Sequence, residues 1–394
     1  MRVLRKRWRR ADTISTLPAL VLGMSALLGA CGDSSSLSGP QGESCGPAPY
    51  FGVLPLAEND LRFVSVFGGL GAPGHTLPTP HGGMVPTREN VPLRSPGQLA
   101  VTELRRVRYM TSPTRQGTED YAIFFQVCKE LRGWFGHVTS LAPTFSPGSI
   151  DWGSCETYST ADETVQACRV SDLDIKFGSG DALGMGAERG FSAIDFGMRD
   201  ERVNNFYVSP GRHPDDRFHA VCMWEQFDAA NQTILFSKLR DPSRFQVLPS
   251  GEPRCGTMAV DVAGTVKGVW AETGVQGQAG GDETRYITLA DYPYRPQAEL
   301  ALSLGPATLG ARVAIVPRRT TGRVNRAFEQ LSADGQIYCY GPDTSPYPPA
   351  SWFLSLSSGN ALRIERRNHA VGVSPCSADP GTWSFGASAV SMVR

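Results

Sequence analysis

Lysine is nearly missing from this chain, with five copies against 33 arginines in 394 residues. An excess of either charge is missing too, because 38 basic and 38 acidic side chains cancel and the isoelectric point falls near 7.0. A nucleic-acid or polyanion binder needs a basic surplus to neutralise phosphate, so that class is set aside. The preference for Arg over Lys fits genomic base composition better than function. No CxxC pair occurs, which removes zinc ribbons and thioredoxin-like redox sites. The absence of HExxH and GxSxG leaves helical zincins and serine hydrolases without support. GMGAERG (184–190) is not GxGxxG, and it precedes a strand rather than opening a helix, so it does not cradle a dinucleotide. No repeat of fixed period is present, and few segments hold a helical period for long.

What is abundant points to strands. Gly (43) and Pro (29) are both high, and 41% of residues are hydrophobic, enough for a real core. Short β-branched or aromatic runs alternate with turn residues from about residue 50 onward: ELRRVRYM, YAIFFQVC, GWFGHVTSL, DLDIKFG, ARVAIVP and GQIYCY. The expected fold class is therefore all-β. YAIFFQVC is nearly continuous in apolar character, as a strand buried on both faces would be. VCMWEQF and GTVKGVWAETG read as strand-like pieces, FSKLRDPSRF and VNRAFEQL as short helices, and WFLSLSSGNALRIERR as a hairpin turning at SSGN. Trp224, Trp270 and Trp352 are expected to anchor cores.

The N-terminus carries a compartment signal. MRVLRKRWRR is cationic, LPALVLGMSALL (17–28) is an apolar stretch of signal-peptide length, and LGAC (28–31) follows. The order resembles a bacterial lipoprotein signal, in which the Cys is lipidated and becomes the mature N-terminus. That implies residues 1–31 as signal peptide, lipidation at Cys31, a flexible tether over 32–49, and an exported chain anchored to a membrane of the bacterial cell envelope. Eight further cysteines remain, an even set that reads as up to four disulfides in an exported chain. Connectivity is open, but loop proximity favours Cys155–Cys168, Cys222–Cys255 and Cys339–Cys376, with Cys45–Cys128 left over.

The six histidines hold the chemistry. His75 and His81 flank a Pro-containing turn, His137 sits in GWFGHVTSL, and Asp195 sits in SAIDFGM with Ile194 and Phe196 on the opposite face. A catalytic zinc site takes three N or O ligands and keeps one position open for water, a count these residues meet. HPDDRFH (213–219) reads as a polar turn, and His369 as a solvated strand end.

GGLGAPGHTLPTPH, YAIFFQVCKELRGWFGHVTSL and IKFGSGDALGMGAERGFSAIDFGM, in this order, resemble the lysostaphin-type zinc endopeptidases of bacterial cell walls. The resemblance spans roughly residues 60–200, and it implies a barrel-sandwich hybrid (duplicated hybrid motif) domain at 50–205. A β-rich C-terminal region at 206–394 follows, with a subdivision near 285 left open. GHVTSL is similar to the family's YGHLS-like strand, which gives His137 a catalytic role. IKFGSGDALGMG is similar to its Gly-rich hairpin, and SAIDFGM to its terminal HLHFE-like strand. Asp195 then falls on a metal-ligating His, and Ala193 on a second catalytic His. His75 and His81 replace a His-x3-Asp metal motif at different spacing. A divergent branch reading GHxxPTDH is nearer, although Pro80 stands where it has an acid. The implied cofactor is zinc, held by His75, His81 and Asp195, and the implied partner is peptidoglycan or another envelope component. With Ala193 at a proton-transfer position, the alternative is an inactive scaffold or binding module that retains the peptidase fold.

Overall fold

A computed structural model describes residues 42–72, 74–159, 163–187, 193–245, 251–278, 283–341 and 348–394. The expected signal peptide, Cys31 and most of the expected tether lie outside the described residues. The fold is all-β, built as two antiparallel sheets.

The first, 12-stranded sheet holds β1 (Leu61–Val64), β2 (His81–Pro86), β3 (Val91–Arg94), β4 (Leu99–Thr111), β5 (Glu119–Gln126), β6 (Leu131–Leu141), β7 (Cys155–Ser159), β8 (Thr164–Val170), β9 (Ile175–Phe177), β10 (Ala182–Gly186), β11 (Ile194–Asp200) and β12 (Ala220–Val221). Its main path runs β1-β2-β11-β6-β5-β4-β8-β7. Residues 151–171, polar in sequence, form the β7–β8 hairpin and extend this edge, with Cys155 directly opposite Cys168. β9 pairs with β4 while β10 pairs with β3 and β6, so the Gly-rich turn after Phe177 joins strands with different partners rather than closing a hairpin. Behind the sheet, alternation sends Phe125, Phe135 and Phe196 into one core, with the Phe135 and Phe196 rings stacked 4.6 Å apart. β5 is not buried on both faces: Ala122 and Phe124 are half-buried on the side away from that core. Apolar composition alone does not separate a doubly buried strand from one whose second face lines a cleft.

The second sheet contains β13 (Gly268–Glu272), β14 (Tyr286–Asp291), β15 (Glu299–Leu304), β16 (Arg312–Pro317), β17 (Tyr338–Tyr340), β18 (Ala350–Ser358), β19 (Ala361–Asn368) and β20 (Val390–Val393). The path is β16-β15-β14-β13-β20-β19-β18-β17. Parallel bridges Arg319↔Arg326 and Val324↔Cys339 lead from the end of β16 to β17 and nearly close a barrel. Its interior is packed solid by Trp270, Trp352, Tyr340 and Phe328 among aliphatic side chains. The indole N–H groups of Trp270 and Trp352 donate to the Val266 and Leu309 carbonyls, so neither buried donor is lost. β18 and β19 form the expected hairpin.

The chain between the sheets packs mainly on the first. It contributes Met223, Trp224, Phe227, Leu235 and Leu239 to that core. VCMWEQF is a two-residue strand followed by a 3-10 turn, because the buried Trp224 is delivered by the turn rather than by a ladder. α1 (Asp215–Phe218) is a single turn, and α2 (Ala229–Ser237) is capped by Asp228, whose carboxylate accepts from Asn231 N–H at 2.8 Å. The helix ends where FSKLRDPSRF was expected to begin one. VNRAFEQL holds only a three-residue 3-10 turn.

Four disulfides, Cys45–Cys128, Cys155–Cys168, Cys222–Cys255 and Cys339–Cys376, staple the chain in the pairing that loop proximity favoured. Such usage marks an oxidising, exported environment.

His213 is not in an exposed polar turn. It is 1% exposed, stacked on Tyr207 with ring centroids 3.8 Å apart. Burial first, and then the neighbouring Arg217, push its pKa down to about 3. The unfolded chain therefore binds a proton near pH 6.5 that the folded chain refuses until about pH 3. Stability is full above that window and falls within it by up to about 1.4 kcal/mol per pH unit. Urea unfolding at pH 7, 5.5 and 4.5 should show a steeper acid loss for the wild type than for His213→Phe; parallel curves would refute this.

Candidate metal centre

β2 and β11 lie side by side, with His81 opposite Gly197 and Gly83 opposite Asp195. Residues two apart on a strand share a face, so His81 and Asp195 are diagonal neighbours on the face away from the core. Ile194 and Phe196 point the other way and are fully buried. β6 flanks β11 on its other side, with Trp134 opposite Gly197 and Gly136 opposite Asp195. Gly197 needs to lack a side chain, because a Cβ there would overlap the Trp134 indole. That indole stands edge-on to His81, ring centroids 5.2 Å apart.

His137 reaches the same face through a bulge. Tyr121 pairs with Val138 but Ile123 with Phe135, so Gly136 and His137 together oppose Ala122. His137 takes φ 57°, a left-handed conformation that a non-glycine residue seldom adopts and that bulges use to re-aim a side chain. Its Nε2 lies 3.4 Å from Asp195 Oδ2, and its Nδ1 lies 2.5 Å from Asp120 Oδ2. Asp120, only 2% exposed, also accepts from Tyr109 Oη at 3.2 Å.

His75 comes from a loop closed on itself. Gly71 and His75 exchange two backbone hydrogen bonds of 2.7 and 2.9 Å, and Thr79 bonds back to Gly68 and Gly69. The His75 ring stands 5.7 Å from the His81 ring and edge-on to it. The structure thus brings His75, His81, His137 and Asp195 to one place. They sit in a cleft of about 1360 Å³ that continues across the sheet past Phe124 and Arg105 to Arg169. His219 and His369 lie elsewhere, the first 3.5 Å from Glu201 and the second bonded to Ser351.

The charges are arranged unevenly. Burial lowers the His81 pKa, and desolvation and the facing His81 ring do the same to His75, so both imidazoles are neutral at pH 7. For His137 burial also opposes the charged form, but the Asp195 and Asp120 carboxylates outweigh it and raise the pKa to about 9. For Asp195 burial favours the neutral acid, yet the imidazoles of His81, His137 and His75 hold it below the usual carboxylate range. An anion between two neutral imidazoles and one imidazolium results.

Would these residues fit a divalent ion? His81 Nδ1 is buried with no hydrogen-bond partner, a costly condition for a polar atom that a metal bond would relieve. It lies 3.6 Å from Asp195 Oδ1. Two ligands on one tetrahedral zinc, with bonds of about 2.0–2.2 Å, stand about 3.4 Å apart. Neutral imidazole and carboxylate are the donors zinc takes. His75 lies one ring further out. Among the described residues, three donors gather within 4.8 Å only at Cys45, Cys128 and Glu130 and at Cys222, Glu225 and Cys255. Both groups are built on disulfide sulfurs, which are not thiolate ligands. The His81–Asp195 pair thus has the spacing of two adjacent zinc ligands, but among the described residues no third donor closes the set: His75 stands further out, its ring centroid 5.7 Å from that of His81.

Asp120 and Tyr109 were not found from sequence. An acid at the start of a strand reads as a solvated edge, and only the register β4-β5-β6 puts Asp120 beneath His137. Asp120→Asn should drop the His137 pKa from about 9 toward its ordinary 6.5, followed by NMR titration of the imidazole. An unmoved titration would remove Asp120 from the site.

No family model matches the chain, and neither a curated protein nor a solved structure matches it.

Proposed function

We propose that the chain is a zinc-dependent hydrolase of the bacterial cell envelope, a divergent relative of the lysostaphin-type endopeptidases. It is tethered through Cys31 and acts on amide bonds of peptidoglycan cross-links. The observation that carries this reading is the His81–Asp195 pair, spaced at 3.6 Å with an orphaned, buried imidazole nitrogen. Further support comes from the open cleft and from the imidazolium of His137 beside it. His81 and Asp195 would hold the ion, with His75 as third ligand. Bound there, zinc supplies a water acidified to a pKa of about 7. The protein's own part is orientation. Asp120 fixes the His137 ring through Nδ1–H and leaves Nε2–H aimed at the site, where it can stabilise a developing oxyanion. Trp134 and Phe124 give the cleft an apolar wall beside the reacting centre, rings 6.3 Å apart and stacked.

A second reading rests on Ala193, which lines the cleft where a second proton-transfer group would stand. In that reading the domain binds peptidoglycan or an envelope partner without cleaving it. Purified, disulfide-intact protein and its His81→Ala variant, supplied with zinc, test the site. Stoichiometric zinc in the wild type and its loss in the variant are expected, and a wild type without zinc ends the hydrolase reading. Release of peptide fragments from purified peptidoglycan then separates enzyme from binding module.

A further inference from the structure

The loop between His75 and His81 is held by residues from the chain that follows the first sheet: Arg217 on α1 and Glu283 just before β14. Leu77 N–H donates to Glu283 Oε2 at 2.7 Å, and Arg217 Nη1 donates to the Pro78 carbonyl at 3.1 Å. Arg217 Nη2 and Glu283 Oε1 pair with each other at 2.5 Å. One ion pair thus satisfies a donor and an acceptor from adjacent loop residues, all of it buried. The Leu77 side chain is fully buried among Val260, Val269, Ala271, Tyr286 and Ala290. Val269 and Ala271 lie on β13, and Tyr286 and Ala290 on β14, each offset by one residue from the interior Trp270, Ile287 and Leu289. Alternation therefore gives these strands an outward face, and Leu77 plugs into it.

We infer that the barrel is the seat of the histidine loop, with Glu283 and Arg217 acting as positioning residues for His75 and His81. The inference rests on the metal-site reading. Its physical basis is that a buried ion pair adds little net stability, while its directed hydrogen bonds fix the groups they reach; Arg217 Nε is the one atom of the pair left without a partner. Here the satisfied groups are the two peptide units midway between the histidines. Loop closure by Gly71, Gly68 and Gly69 fixes the loop's ends to one another, and the Glu283–Arg217 pair and the Leu77 plug fix its middle to α1 and to the outer face of β13 and β14. This assigns the C-terminal region a task inside the site, although it contributes no ligand.

The test uses the disulfide-intact protein and two readouts, zinc affinity by titration and amide exchange over residues 74–81. The double variant Glu283→Leu/Arg217→Met removes both charges, so no lone charge is left buried. It should weaken zinc binding about tenfold or more, speed loop exchange, and leave exchange in β18 and β19 unchanged. A folded double variant with wild-type affinity and loop protection overturns the inference. Should the double variant not fold, Leu77→Ala decides by the same readouts. If the wild type itself takes up no zinc, the hydrolase reading falls separately. Loop exchange then judges the seat alone, with unchanged protection overturning it and lost protection sustaining it.

Discussion

Asp195→Ala is expected to abolish zinc binding, lowering affinity by about 100-fold or more, while the protein still unfolds cooperatively. Asp195 is the carboxylate shared between the imidazoles, with Oδ1 toward His81 and Oδ2 toward His137, while Asp120 contacts His137 alone. Without it the site offers neutral nitrogens from His81 and His75 beside the cation of His137, and a divalent ion would meet repulsion instead of compensation. The fold should tolerate the change. Asp195 is half-buried on the cleft face, its cross-strand partners are Gly83 and Gly136, and the core behind it is made by Ile194 and Phe196. Asp195→Asn, which keeps the shape and loses the charge, should fail almost as badly. Both variants should also lower the His137 pKa, since one of its two carboxylates disappears. Equilibrium dialysis with zinc quantification, beside NMR of His137, reads both effects; wild-type affinity in Asp195→Ala would leave the carboxylate without the role given to it.

How much of this was legible in the sequence depended on how local the signal was. The β18–β19 hairpin follows from its turn residues, and three disulfides from separations of 13, 33 and 37 residues, while Cys45–Cys128, 83 apart, came only as the pair left over. The alternation around Asp195 is equally local and places its neighbours correctly. What escaped depends on partners distant in sequence. Asp120 becomes a site residue only through strand register and through a bulge one residue wide at His137. His213 looks like part of a polar turn until Tyr207 covers it, and VCMWEQF looks like a strand until Trp224 is needed in the core. The GHTLPTPH loop showed two histidines and stiff prolines. Nothing near it in sequence announces Glu283, 206 residues beyond Leu77.

Ala193→His is expected to raise peptidoglycan hydrolysis by about 100- to 10,000-fold, the span that one positioned proton-transfer group contributes. Ala193 precedes Asp195 by two residues, so their side chains leave the sheet on the same face, and both line the cleft. Space is available because Gly83 is beside it: a Cβ on Gly83 would come within 3.6 Å of the Ala193 Cβ, and none is present. An imidazole there would stand on the opposite side of Asp195 from the core-facing residues and within the same pocket as His137, giving the centre a proton donor and a proton acceptor in place of one group. Zinc affinity should stay close to that of the wild type, because none of the proposed ligands changes. The comparison therefore separates the two readings of the protein. A large gain in fragment release with unchanged zinc binding would mean that the wild-type centre is a hydrolytic one limited by a missing proton carrier. Unchanged zinc binding with no gain would mean that the cleft does not present a scissile amide to the ion, and the binding-module reading would then hold.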